Sequence, residues 1–144
     1  MAVAYATLLN DVQSEIHTIL STDATVIGFT TKIVDGLPYT DMQRGRGFPY
    51  IKIPIGTLAE SQKTMGKIMV IISVPITVYT RKASTLRQLS DAIRNALKTN
   101  QNVTEGLALH NFFPTATSPN EFLLPDKKPL YEYSILVQYK WVGA

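Results

Sequence analysis

Lys67–Thr80 reads KIMVIISVPITVYT, and its side chains alternate. Val70, Ile72, Val74, Ile76 and Val78 fall on one face; Met69, Ile71, Ser73, Thr77 and Tyr79 fall on the other. A period of two predicts a long strand. The first face is wholly apolar and must pack against a core. The second is apolar at one end and mixed at the other. Pro75 has no N–H to donate, which predicts a bulge or a partly unpaired edge at that point. The apolar run ends well short of the about 20 residues a membrane-spanning helix needs.

Downstream, Leu86, Leu89, Ile93, Ala96 and Leu97 repeat at helical spacing. Ser84 or Thr85 is expected to cap this helix, with Thr85 and Gln88 as a capping box, and Asn100 to stop it. Arg87, Asp91, Arg94 and Lys98 line another face, where Asp91 can pair with both arginines. Leu107–Phe113 is predicted as a strand. Pro114, Pro119, Pro125 and Pro129 then mark a stiff irregular loop whose apolar Phe122, Leu123 and Leu124 need cover. Leu130–Val142 is a final long strand with Tyr131, Tyr133, Ile135, Val137, Tyr139 and Trp141 on one face.

Upstream, Ala59–Gly66 reads as a polar loop. Tyr50–Leu58 reads as a half-buried strand with Ile51, Ile53 and Ile55 on one side and Pro54 at an edge or bulge. Tyr39–Gly47 is a polar loop, and a short strand precedes it around Thr30–Val34. Leu8, Leu9, Val12, Ile16, Ile19 and Leu20 predict a helix over Thr7–Ser21, with Asp11 and Glu15 near its start. The predicted class is α+β: a mainly antiparallel sheet, two helices packed on one face, and long inter-strand loops.

The chain has 144 residues, no cysteine, 45% apolar and 17% charged residues. With roughly 100–200 residues per domain, one domain over 1–144 is expected. The absence of cysteine excludes disulfides and thiolate chemistry. Low charge with 16 threonines points to surface that faces protein. No basic leader precedes an apolar run, so a soluble protein without a cleaved signal is expected. Net charge is −2 in residues 1–60, +6 in 61–98 and −1 in 99–144.

Catalytic motifs are missing. His17 and His110 have no nearby ligand partners, and no nucleophile elbow or phosphate-binding glycine loop occurs. No catalytic residue, metal or cofactor is expected, and no enzymatic activity. Arg44-Gly45-Arg46-Gly47 is one suggestive string, a basic loop that Lys63 and Lys67 would reinforce if the loops lie together. With the basic second helix it makes a small nucleic-acid-binding module an alternative function. A solvated turn explains the string as well.

The strings Ile33-Val34-Asp35-Gly36-Leu37-Pro38 and Phe48-Pro49-Tyr50-Ile51-Lys52-Ile53, the long strand ending at Tyr79, the Ser/Thr-started helix and the terminal strand occur in this order. In order and length the chain resembles the tail-terminator or tail-completion proteins of long-tailed bacteriophages. The Thr115–Pro129 loop is longer than that pattern. The resemblance implies a virion protein, assembled in the host cytoplasm, that forms a ring, usually of six copies. The ring sits at the head-proximal end of the tail tube and ends tube polymerisation. Its implied partners are the tube protein, head-completion or connector proteins, and genomic DNA passing through the lumen without sequence-specific contact; no membrane is involved. A head-completion or stopper protein is the near alternative. A ring needs two different patches that meet. Pro54, Pro75, Phe122, Leu123 and Leu124 are the expected interface residues. Arg44, Arg46, Lys63 and Lys67 are the expected partner or lumen contacts.

Overall fold

The computed structural model describes residues 5–36, 48–64, 66–100, 107–114 and 120–143. A 3-10 turn at Tyr5–Thr7 leads into α1 (Leu8–Thr22), then α2 (Ala24–Phe29), β1 (Ile33–Val34), β2 (Tyr50–Lys52), β3 (Thr57–Thr64), β4 (Lys67–Thr80), α3 (Ala83–Thr99), β5 (Leu107–Pro114), β6 (Asn120–Leu123) and β7 (Pro129–Gly143). The class is α+β, with a seven-stranded, mainly antiparallel sheet among the described residues.

The two long strands form its spine. β4 and β7 pair antiparallel from Ile68↔Gly143 to Thr80↔Tyr131 without a register shift. Each is flanked on its outer side by two shorter strands in line. β2 covers Tyr79 to Thr77 of β4, and β3 covers Ser73 to Lys67. On β7, β5 covers Trp141 to Ile135 and β6 covers Glu132 to Pro129. β1 adds to β2 in parallel. Among the described residues it is the one parallel pair in a mainly antiparallel sheet; residues 35–49 are long enough for the crossover a parallel pair needs, which a short turn is not.

The fully apolar face of β4 packs as its alternation requires. Val70, Ile72, Val74, Ile76 and Val78 are buried, as are Ile135, Val137, Tyr139 and Trp141 of β7. Val12, Ile16 and Leu20 of α1 and Leu86, Leu89, Ile93 and Leu97 of α3 close over them. Both long helices therefore lie on one face of the sheet. On the opposite face, Tyr50, Tyr79 and Leu130 make a second, smaller cluster with Phe48 and Leu124 against it. The Phe48 and Tyr50 rings meet edge to face at 5.2 Å.

Several local expectations are corrected. The polar stretch expected to be a loop at Ala59–Gly66 is largely strand: β3 runs to Thr64, and Gly66, at φ +79°, turns the chain into β4. It reads as polar because it is an edge strand, with Thr57, Ala59 and Glu60 exposed and Leu58 packed against the core. The single strand expected over Tyr50–Leu58 breaks after Lys52. Ile51 and Ile53 are buried, but Ile55 is 60% exposed, so the three isoleucines do not share a face. The break has a backbone cause. Pro54 cannot donate to a ladder, and Gly56 lies against Ser73 and Val74, where no side chain fits.

Pro75 sits opposite this break. It pairs in register with Leu136 of β7, so there is no bulge there. On its other side β4 has no partner between Thr77 and Ser73. The partly unpaired edge is where a residue without an N–H costs nothing.

Neither Ser84 nor Thr85 caps α3. The helix starts at Ala83 after Lys82, with no side-chain cap bond. Thr80 Oγ1 instead donates to the Lys82 carbonyl at 2.9 Å. Asp91 pairs with Arg94. The strongest cap is at α2, where the Asp23 carboxylate accepts the N–H groups of Thr25 and Val26 at 3.1 and 3.0 Å. The proline-rich loop also contains a strand, β6. It forms a hairpin with β7 through a turn in which Lys127 takes φ 63°.

Candidate functional site

Among the described residues no cluster of His, Cys, Asp and Glu could hold a metal ion, and no helix is long and apolar enough to cross a membrane. His17 is exposed on α1, and His110 is in β5. The features that call for a functional reading are surfaces: the two lateral edges of the sheet and its helix-free face.

The helix-free face is half apolar. Met69, Ile71 and Pro75 of β4 and Leu136 of β7 are half-buried, and Val142 is exposed. Small polar groups fill the rest: Thr77 and Ser134 share a hydrogen bond at 2.8 Å, and Gln138 Nε2 donates to Ser73 Oγ at 3.2 Å. At one end the Tyr79 hydroxyl is bonded to Glu132; burial first, and that carboxylate second, raise its pKa well above the ordinary tyrosine value.

The first lateral edge is the gap between β2 and β3. Pro54 lies in this gap and Pro75 in the stretch of β4 that the gap leaves unpaired; both are expected interface residues, and both are half-buried. The exposed residue between them and β3 is Ile55. Behind it, Gln13 Nε2 of α1 donates to the Ile53 carbonyl at 2.8 Å and to Asp35 at 3.3 Å, which ties a carboxylate to this edge. α1 contributes Asp11 and Glu15, while Lys32 before β1 and Lys52 in β2 contribute positive charge, so the edge carries both signs.

The second lateral edge, beyond β7, holds Phe122 and Leu123. They are exposed on β6, Leu123 by 75%, while Leu124 turns in against the Tyr50 cluster. Arg81 fastens the adjoining turn: its Nη2 donates to both oxygens of Asp126 at 2.9 and 2.8 Å. That guanidinium first, and the Lys128 backbone N–H second, hold the Asp126 carboxyl below its ordinary pKa.

Between α3 and β7 on this side runs a groove of about 520 Å³. Leu86 and Tyr133 form its floor, and Arg87, Asp91 and Arg94 stand at its rim. Ser90 also lines it; this serine is 3% exposed, and its hydroxyl has no hydrogen-bond partner among the described residues.

Of the basic residues expected to act together, Lys63 and Lys67 belong to the same end of the β3–β4 hairpin, where Lys63 faces Ile68 and Thr64 faces Lys67. Arg44 and Arg46 lie outside the described residues.

No protein-family model and no curated protein matches the chain. Among solved structures, a chain in the virion of a native gene transfer agent particle superposes with a TM-score of 0.66. The match covers 97% of this chain and 100% of the other, at 15% identity. The chain shares its fold with a virion component.

Sequence reading named Pro54, Pro75, Phe122 and Leu123 but missed Ile55 and the groove. Alternation places Ile55 on the buried face, and the flanking Pro54 and Gly56 are the signal that alternation fails there. The groove had one trace in sequence: Ser90 interrupts the apolar stripe of α3.

Proposed function

We propose that this protein is a non-enzymatic structural component of a phage-like virion. In this reading it is the tail terminator: a closed ring, six copies in the resembling family, at the head-proximal end of the tail tube. The ring ends tube polymerisation, presents a surface to head-completion proteins and lets DNA through its lumen. It is assembled in the host cytoplasm and resides in the virion. The observation that carries the reading is full-length agreement of fold with a chain of a gene transfer agent virion.

The surface chemistry supports it. A sheet with a half-apolar open face, Ile55 exposed on one side and Phe122 and Leu123 on the other has two different apolar patches on opposite edges. Head-to-tail contact between unlike patches is what a closed cyclic ring uses.

The test is native mass spectrometry of the purified protein at micromolar concentration, alone and with tail tubes. A single closed oligomer in either sample is expected, with tubes capped at one end in negative stain. Monomer alone in both samples overturns the reading.

A further inference from the structure

We infer that the helix-free face of the sheet is the surface that meets double-stranded DNA, through Lys32, Lys52, Lys67 and Lys140. This deepens the ring reading, on which the further assignment of that face to the lumen rests.

Strand register places the charges. Lys52 is paired with Thr77, Lys140 is paired with Ile71, and Lys67 precedes Met69 by two positions on β4. All three therefore share the face of Met69, Ile71 and Thr77, away from the helices. Lys32 reaches the same face, with its Nζ 5.3 Å from the centroid of the Tyr50 ring. Register puts Glu132 among them, opposite Tyr79. That carboxylate already accepts bonds from the Tyr79 hydroxyl and from Asn120 Nδ2, the latter at 3.2 Å.

The other acids of the described residues lie elsewhere. Asp11 and Glu15 are on α1, Asp23 caps α2, and Asp35 is tied to Gln13 of α1. Glu60 and Glu121 are paired with Val70 and Tyr131, on the helix side. Asp91 and Asp126 are held by Arg94 and Arg81. The helix side thus mixes both signs, whereas the open face presents four lysines against one carboxylate that is already bonded. The β6–β7 turn adds Lys127 and Lys128. A face of one sign attracts a polyanion.

Relief favours DNA over another protein. Lys32, Lys67 and Lys140 are exposed, while Met69, Ile71 and Leu136 are half-buried. A partner laid on this face meets ammonium groups before aliphatic ones. Covering it with protein strips water from those charges, at a cost the single carboxylate does not offset. A phosphate backbone brings its own countercharge.

Length and chemistry agree. Lys52, level with Thr77, and Lys67 are ten residues apart along β4. That is about 34 Å at about 3.4 Å per residue, the length of about one turn of duplex. Thr77, Ser134, Ser73 and Gln138 fill the middle with neutral groups bonded to one another. The charges are lysines; Arg81 is engaged with Asp126, and Arg87 and Arg94 stand on α3. Ammonium point charges neutralise phosphates without bidentate geometry, which suits a duplex that passes without being read.

The test is fluorescence anisotropy of a labelled mixed-sequence duplex of about 30 base pairs, titrated with the full chain from about 20 mM salt upward. Lys52→Gln with Lys140→Gln is compared with Arg87→Gln with Lys98→Gln, which removes the same charge from α3. Circular dichroism and native mass spectrometry verify the fold and oligomer of each. The parent is expected to bind. The face pair should bind at least about tenfold more weakly, with a salt slope shallower by about one per lysine, and the α3 pair within about twofold of the parent.

A parent that binds no duplex at about 20 mM salt, or a face pair that binds like the parent, overturns the inference. An α3 pair weakened as much as the face pair overturns it too, because total charge then suffices. Loss of the parent's oligomer in the face pair marks a contact between copies; that overturns the inference and leaves the ring reading intact. Monomer in every parent sample, with duplex bound through the face lysines, overturns the ring reading and supports the assignment of this face to DNA.

Discussion

Replacing Gly56 with alanine tests the packing that creates the Ile55 edge. A Cβ built on Gly56 falls 2.4 Å from the Ser73 carbonyl oxygen, 2.7 Å from Val74 Cγ2 and 3.1 Å from the Ser73 carbonyl carbon. Carbon and oxygen do not approach closer than about 3.0 Å, so something must yield by about 0.6 Å. The obstacle is backbone, and it belongs to a central strand. Ser73 is paired with Thr57 on one side and Gln138 on the other, so β4 cannot retreat.

The crossing segment must lift instead. That strains the bond from Ile53 N–H to Val34 and the bond from Gln13 to the Ile53 carbonyl. Overpacking of this kind costs about 1–3 kcal/mol, and a weakened hydrogen bond adds about 1 kcal/mol. Alanine also restricts the unfolded chain, which offsets about 0.4–1 kcal/mol. The net expectation is a loss of about 2 kcal/mol, or about 6 °C in Tm for a chain of this size. Gly28→Ala is the control. Nothing lies within 4 Å of its added Cβ, and it sits in α2. Alanine is favoured over glycine in helices by about 1 kcal/mol, so this variant should melt higher. Both are read by thermal and urea unfolding followed by circular dichroism. If Gly56→Ala melts within about 1 °C of the parent, the close approach at β4 does not constrain the edge and the reasoning fails.

Three further outcomes are expected. Asp23→Ala removes the acceptor for two N–H groups at the start of α2 and should cost about 1 kcal/mol in urea unfolding; an unchanged midpoint would deny the cap its role. The Asp126 carboxyl, held down by Arg81, should titrate below the ordinary 3.8 by NMR. Because its folded pKa is depressed, the pair's contribution is present above the unfolded value and is lost as pH falls through the folded one; a titration at or above 3.8 refutes the contact. Tyr139→Phe removes a buried hydroxyl that has no partner and should be neutral or stabilising by up to about 1 kcal/mol; a loss of that size would reveal a bond to it. Burial first, and Glu15 second, raise the Tyr139 pKa above 10.0. The folded protein therefore keeps a proton that the unfolded chain releases, and stability should fall as pH rises past about 10, less steeply in the phenylalanine variant.

The amino-acid order alone determined the elements whose pattern is strong and local. The β4 boundaries, the buried stripe of α3, the alternation of β7 and the placement of both helices on one face follow from the spacing of apolar residues. Each of those residues must leave water, and only one secondary structure puts them all on one side. The tertiary structure decided the rest. β3 and β6 are polar or short and become strands because β4 and β7 offer unpaired backbone groups beside them, an influence no local window contains. Ile55 faces outward because Gly56 must pass within contact of a strand nearly twenty residues further along the chain. The groove is lined by α3 and by Tyr133 of β7, which lie far apart in sequence. The exposed Ile55 and the groove are both products of long-range packing, and for that reason periodicity alone could not reveal them.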